Sequence, residues 1–278
     1  MPLQRLIRLT TLVDNFVRAP GLVAQHGFSL LVEGPFGRIL FDTGATGEVL
    51  AHNAQSLNVK LSQLDHIVLS HGHWDHGGAL LRAMDESSAR LWIPEGALLP
   101  RFHGRGDGAR DIALPQAVRQ RLVQDRKRWE EVSGPRDLAE GVRLTGPIPG
   151  IRPEWSHAGL WRSALLDVPD DVPEEQALVL EAPDGLVAVV GCSHFGIANL
   201  LAFLTKEFPG RRLLALVGGL HLESAPEPAL HEIARGLKSM GLASFHPTHC
   251  SGWDASSRLA TLLEQSIAYG RVGQILTF

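Results

Sequence analysis

Leu69-Ser70-His71-Gly72-His73-Trp74-Asp75-His76-Gly77-Gly78 places three histidines and a carboxylate within six positions. Imidazole and carboxylate are the ligands that borderline metals such as zinc, iron and manganese prefer, whereas a closed structural site normally recruits thiolates. Residues 65–70 are apolar and β-branched, and residues 79–83 favour helix, so the cluster sits on a strand-to-helix loop. Such a loop can turn His71 and His73 to one point and Asp75 and His76 to a second. The glycines at 72, 77 and 78 allow neighbouring segments to approach closely. A histidine-rich surface loop without a ligand is the competing reading. It requires four ligand-type side chains to follow a buried strand by chance.

Outward from this loop, the pattern of strand, glycine, ligand-type residue and helix recurs. Residues 5–13, 27–32 and 38–41 read as strands, and Asp42-Thr43-Gly44 ends the third. The Asp42 carboxylate is either a turn residue or a partner holding a metal-binding histidine. Residues 176–181 and 186–190 read as strands joined by the turn Pro183-Asp184-Gly185, and the second runs into Gly191-Cys192-Ser193-His194. A strand over 213–217 ends in Gly218-Gly219-Leu220-His221, and a short one over 243–245 precedes His246-Pro247-Thr248-His249-Cys250. Helices are expected over 47–57, 197–203, 229–240 and 254–269, the last capped by Asp254 or Ser256, with a closing strand over 272–278.

The motif His71-x-His73-x-Asp75-His76 after a strand, preceded by Phe41-Asp42-Thr43-Gly44, resembles the metallo-β-lactamase superfamily of metal-dependent hydrolases. Further stretches narrow the likeness: Leu12-Val13-Asp14-Asn15, the segment from His26 to Val32, Val190-Gly191-Cys192-Ser193-His194, Gly218-Gly219-Leu220-His221 and Thr248-His249-Cys250. Together they resemble the subfamily labelled dihydropterin or ribofuranosyl-aminobenzene phosphate synthase. The residue pattern alone gives α and β in alternation. The resemblance implies an αββα sandwich with metals at one edge, and its final ligand segment matches His249 rather than His246. It also favours a metal-site role for Asp42. Where much of the superfamily has Gly-Asp, with the aspartate bridging two metals, this chain has Gly191-Cys192. His194 is the preferred substitute ligand and Cys192 a small buried neighbour, with Cys192 itself the alternative.

The expected ligands are thus His71, His73, Asp75, His76, His194 and His249, with Asp42 and Cys192 in support. They would hold one or two divalent ions, zinc first, with manganese or iron as alternatives. Asp75 serves as ligand or proton acceptor, and His221 as ligand, substrate contact or proton donor. The implied chemistry is hydrolysis of an ester, amide or phosphoester by metal-activated water. A synthase acting on a phosphorylated ribosyl-aromatic or pterin-like compound is the second reading, and a catalytically weak metal-containing binding protein the third.

Ligand-type residues run from 42 to 249 across a chain of 278 residues, so dividing it anywhere between would split one site; a single domain over 1–278 is expected. Residues 101–140, charged and glycine-containing, are expected as a helical insertion near the site, where His103, Arg101, Arg105 and Arg110 could meet an anionic group. A long loop over 141–174 carries Trp155 and Trp161, which could stack on a flat substrate ring, and a lone His157. A net charge of −4 with no long basic run disfavours nucleic acid, leaving a small molecule, anionic or aromatic, as partner. The amino terminus reads as a strand rather than a targeting signal, and no apolar stretch reaches membrane-span length. The two cysteines are expected as free thiols in a reducing cytoplasm. Nothing in the sequence fixes an oligomeric state.

Overall fold

The computed structural model describes residues 6–105 and 108–278, so Arg5, expected to begin the first strand, lies outside the described residues. The chain opens with an antiparallel meander of β1 (Arg8–Val13), β2 (Ser29–Gly34) and β3 (Gly37–Phe41). Helix α1 (Gly47–Ser56) carries it to β4 (His66–Val68), which lies parallel to β3. The histidine loop follows, with a single turn α2 (Trp74–Gly77), then α3 (Leu80–Glu86) and β5 (Arg90–Pro94). Next come β6 (Phe102–His103), β7 (Arg110–Asp111), α4 (Gln116–Gln124), β8 (Trp129–Val132), β9 (Arg136–Ala139), β10 (Val142–Leu144) and β11 (Leu160–Trp161). The hairpin of β12 (Leu178–Ala182) and β13 (Gly185–Val190) leads into α5 (Ile197–Glu207), β14 (Leu213–Gly219), α6 (Glu227–Ser239), β15 (Ser244–Thr248), α7 (Trp253–Leu263) and β16 (Ile275–Thr277).

Two mixed sheets result, one ordered β16-β1-β2-β3-β4-β5-β8 and the other β15-β14-β13-β12-β10-β9. Their strands are apolar on both faces because both faces are covered. Leu30, Val32, Ile39 and Phe41 meet Leu178, Leu180, Val187 and Val189 between the sheets. The alternate residues Leu31 and Leu40 turn outward against Leu50 of α1 and Leu80 of α3, while Leu186, Ala188 and Val190 pack on Leu200, Leu204 and Leu237 of α5 and α6. This is an αββα sandwich, as the motifs implied. Burying each such Leu or Val contributes about 1.5–3 kcal/mol relative to exposure, on both faces of each sheet.

Residues 101–140 are not a helical insertion. They contain one nine-residue helix, and β8 extends the first sheet beside β5 while β9 begins the edge of the second. Short β-branched and aromatic segments flanked by arginine dilute the strand signal there. Residues 141–174 are largely loop, with β11 pairing β6, which in turn pairs β7, in a small third sheet at the cleft mouth. Gly252 is the N-cap of helix α7, and neither Asp254 nor Ser256 caps it through its side chain. Among the described residues no helix is long and apolar enough to cross a membrane.

Candidate metal centre

The parallel strands β13, β14 and β15 end side by side at one sheet edge, and β4 of the other sheet ends opposite them. Ligand-type residues just past strand ends therefore converge, the usual place for sites on parallel sheets. From β4 come His71, His73, Asp75 and His76. The second sheet supplies Cys192 and His194 after β13, His221 after β14, and His249 and Cys250 after β15. All the histidines predicted as ligands are buried, and the cleft above them, about 400 Å³, is lined by His73, Asp75, Cys192, His194, His221 and His249.

Four of these rings are oriented by their Nδ1 atoms. His71 Nδ1 meets Ser70 Oγ at 2.8 Å, and that hydroxyl donates to Asp42 Oδ2 at 2.7 Å, which leaves the His71 Nδ1 as donor and Nε2 as lone pair. His76 Nδ1 donates to the same Asp42 Oδ2 at 2.7 Å. His249 Nδ1 donates to Asn15 Oδ1 at 3.0 Å, and His194 Nδ1 to the Ser156 carbonyl. Four Nε2 lone pairs are thereby turned into one region, the arrangement in which outer hydrogen bonds hold metal-binding imidazoles.

The separations suit a cation. His76 Nε2 and His249 Nε2 lie 3.3 Å apart, and His249 Nε2 is 3.3 Å from Asp75 Oδ2. Two ligand atoms about 2.0–2.1 Å from one tetrahedral zinc would be about 3.3 Å apart. His71 Nε2 and His73 Nδ1 are 2.9 Å apart. Among the described residues His194 Nε2 and His73 Nε2 are buried with no hydrogen-bond partner. Such atoms cost about 1–3 kcal/mol each unless something satisfies them. Four groups of ligand atoms fall within 4.8 Å of one another: His71, Cys192 and His194; His76, Cys192 and His249; Cys192, His221 and Cys250; and His26, Asp75 and His249.

Electrostatics separates the rings. Burial, reinforced by neighbouring histidines, keeps the His71 and His194 pKa values well below 6.5. Burial and the Arg101 charge bring His73 to about 3. These three stay neutral, the form that ligates metal. At His76 burial opposes charge, but Asp42 and Asp75 outweigh it and raise the pKa to about 9. The Asp42 and Asp75 carboxylates thus favour positive charge at this position, which a bound cation would supply in place of the proton. Burial also opposes ionisation of Asp75, yet His76, His249 and His26 hold it well below the usual carboxylate range. Burial pushes the Cys192 thiol up. Desolvation also opposes ionisation of the half-buried Cys250, but hydrogen bonds with Cys192 and His221 outweigh it and draw its pKa down.

Asp42 (φ 57°), Ser193 (φ 61°), His221 (φ 47°) and His249 (φ 50°) all hold left-handed backbone. Non-glycine residues there cost about 1–3 kcal/mol each and cluster at functional sites.

The family model described as Metallo-beta-lactamase superfamily matches residues 23–201. The chain belongs to the metallo-beta-lactamase superfamily. It is 28% identical over 291 residues to the 7,8-dihydropterin-6-methyl-4-(beta-D-ribofuranosyl)-aminobenzene-5'-phosphate synthase of Methanocaldococcus jannaschii, covering 98% of this chain and 97% of that protein. An uncharacterized protein of the same organism is 28% identical over 270 residues, covering 95% and 98%. A crystal structure of a metal-dependent hydrolase of the beta-lactamase superfamily superposes with a TM-score of 0.80 at 26% identity, covering 97% and 98%. Unliganded yeast PDE1 shares the fold, with a TM-score of 0.59 at 11% identity.

Superfamily membership fits the placement of the His71–His76 loop, whereas several supporting residues had gone unrecognised. Glu175, fully buried, accepts the backbone N–H groups of Cys192 and Ser193 at 2.9 and 2.8 Å on Oε1 and that of Phe195 at 3.2 Å on Oε2. Asn15 and His26 lie in stretches that carry the family resemblance, and His26 Nε2 lies 3.1 Å from Asp75 Oδ2. The anion-facing role considered for Arg101 is corrected: it is fully buried, paired with Asp170 and, at 2.6 Å, with Glu174. Trp155 borders a different cavity and Trp161 donates to the Gly104 carbonyl at 3.1 Å, while His157 is not among the cleft-lining residues. The ring on the cleft wall is Trp74, with Arg110 5.2 Å over it and His103 nearby. Both cysteines are free.

Proposed function

We propose that this protein is a metal-dependent hydrolase acting on an ester, amide or phosphoester bond of a small molecule. One observation carries it: four buried histidines with Nδ1 atoms anchored turn their Nε2 atoms inward at the floor of an open cleft. His71, His73 and His194 would hold one divalent ion, and Asp75, His76 and His249 a second, zinc being the best match to the nitrogen-rich set. Such ions supply polarisation of an electrophilic carbonyl or phosphoryl group and acidify water from about 16 to near 7. Asp75, held ionised, is placed to accept a proton. His221 lines the cleft with its Nδ1 free of partners among the described residues, and although burial opposes charge, the Cys250 hydrogen bond raises its pKa. It is placed to return a proton to the leaving group. Two free thiols support a reducing, cytoplasmic setting.

A second reading is a synthase acting on a phosphorylated ribosyl-aromatic or pterin-like compound. The 28% identity to the Methanocaldococcus jannaschii synthase supports it, as does Arg110 stacked over Trp74 at the cleft wall, where a cation and a flat ring lie together. Zinc-loaded protein offered aryl esters, phosphodiesters and a phosphorylated ribosyl-aminobenzoate with a pterin separates the two. Turnover of the first two classes by water supports hydrolysis. A joined pterin–aryl product with no hydrolysis of the simple substrates overturns it in favour of synthesis.

A further inference from the structure

We propose that the Cys192 thiolate bridges the two metal positions; this rests on the two-ion reading above. Among the described residues Cys192 is the one side chain shared by the His71–His194 group and the His76–His249 group, every ligand atom of each lying within 4.8 Å of the others. Its Sγ is 3.1 Å from His76 Nε2, and the residue is 3% exposed. No acidic residue among the described residues belongs to both groups. Asp75 sits on the His249 side with His26. Glu175 approaches His71 Nδ1 only to 3.7 Å, and its two oxygens are occupied by the backbone amides of Cys192, Ser193 and Phe195.

Those amides tie Cys192 in place. Ser193 is in the left-handed region at φ 61°, with its hydroxyl donating to the Gly219 carbonyl at 2.8 Å, so the turn that presents the sulfur is held from both sides. Cys250 belongs only to the group with Cys192 and His221, which includes neither His71 nor His76. On coordination the Cys192 S–H bond ionises, its proton passes to solvent, and separate sulfur lone pairs are donated to the two ions; a coordinating thiol loses its proton outright. A soft bridge of this kind biases the centre to zinc and cobalt over manganese and magnesium.

Cobalt(II) titration of the full chain, stripped with a chelator, tests this through the thiolate-to-cobalt charge-transfer band in the near ultraviolet. The band is expected to grow through both the first and the second equivalent in the wild type and in Cys250→Ser, and to be lost in Cys192→Ser. Cys192→Asp, which substitutes a carboxylate, should bind two equivalents with no band and keeps the test intact should the serine variant not fold. A band that stops growing after one equivalent, survives in Cys192→Asp or vanishes in Cys250→Ser overturns the bridge. So does uptake of two cobalt ions by the wild type with no band, which leaves the two-ion reading standing. No cobalt uptake at all overturns both.

Discussion

The Asp42 carboxylate and the His76 imidazole meet at 2.7 Å in full burial, and the same Oδ2 atom receives the Ser70 hydroxyl that orients His71. One oxygen thus steadies a proposed ligand of each of the two proposed ions. Asp42→Asn, which tolerates the left-handed backbone at φ 57°, should weaken metal affinity about 10–100-fold while leaving the fold intact. Competition against a chromophoric chelator measures this, and unchanged affinity would remove Asp42 from the centre.

Gly191 packs against the same relay. A Cβ there would lie 2.2 Å from Ser70 Oγ and 3.2 Å from Asp42 Oδ2. Gly191→Ala should therefore displace Ser70, lower stability by about 1–3 kcal/mol and weaken metal binding together. Loss of stability with metal affinity untouched would mean the strain is absorbed away from the relay.

Little of this relay was legible in sequence. The His71–His76 cluster and the strand ends were, because ligand spacing and apolar runs are local signals, whereas the sandwich followed only from the family resemblance. Asp42 could be weighed only as one of two alternatives. Glu175 carries no periodic or motif signal, and the motif that holds Asn15 does not reveal its role; they act through contacts with residues 17–20 and 234 positions away, respectively. The region 101–140 misled because its charged composition resembles a solvated helix, whereas β8 is an edge strand whose two glutamates are half-buried or exposed. Arg101 illustrates the same problem: a glycine-rich, basic setting suggests an exposed cation, and the partners that bury it lie 69 or more positions downstream.

That buried arginine has a stability role. It holds Glu174, whose Oε1 accepts the Gly72 N–H at 3.2 Å beneath the histidine loop, and Asp170, which Arg162 also contacts at 2.7 Å. Arg101→Met should cost about 3–5 kcal/mol by leaving Glu174 buried without its cation. A urea midpoint close to wild type would contradict that assignment.

Acid sensitivity is expected away from the centre as well. His66 accepts the Trp92 Nε1–H at 3.0 Å, and burial, opposed by Asp65, lowers its pKa below 6.5. As pH falls through 6.5 the unfolded chain gains a proton that the native protein refuses. The contribution is therefore full above that pH and is lost down to the native pKa. His66→Gln keeps an acceptor for Trp92 but does not titrate. Its urea midpoint should fall less than that of the wild type between about pH 7.5 and about pH 5.5. An equal fall in both would show that His66 does not contribute.

At the cleft wall, Arg110→Ala should raise KM several-fold for anionic substrates and leave kcat unchanged, since a cation over Trp74 contributes to binding rather than to bond cleavage. Steady-state kinetics with a charged and an uncharged ester decides it; equal effects on both would assign Arg110 no part in charge recognition.

The most direct test of the metal centre is elemental analysis of protein purified without added metal, beside His71→Ala and His249→Ala. Two equivalents of zinc or a similar divalent ion in the wild type, with at least one lost in each variant, is the predicted result. Less than half an equivalent in the wild type, or metal content unaffected by either substitution, would contradict it.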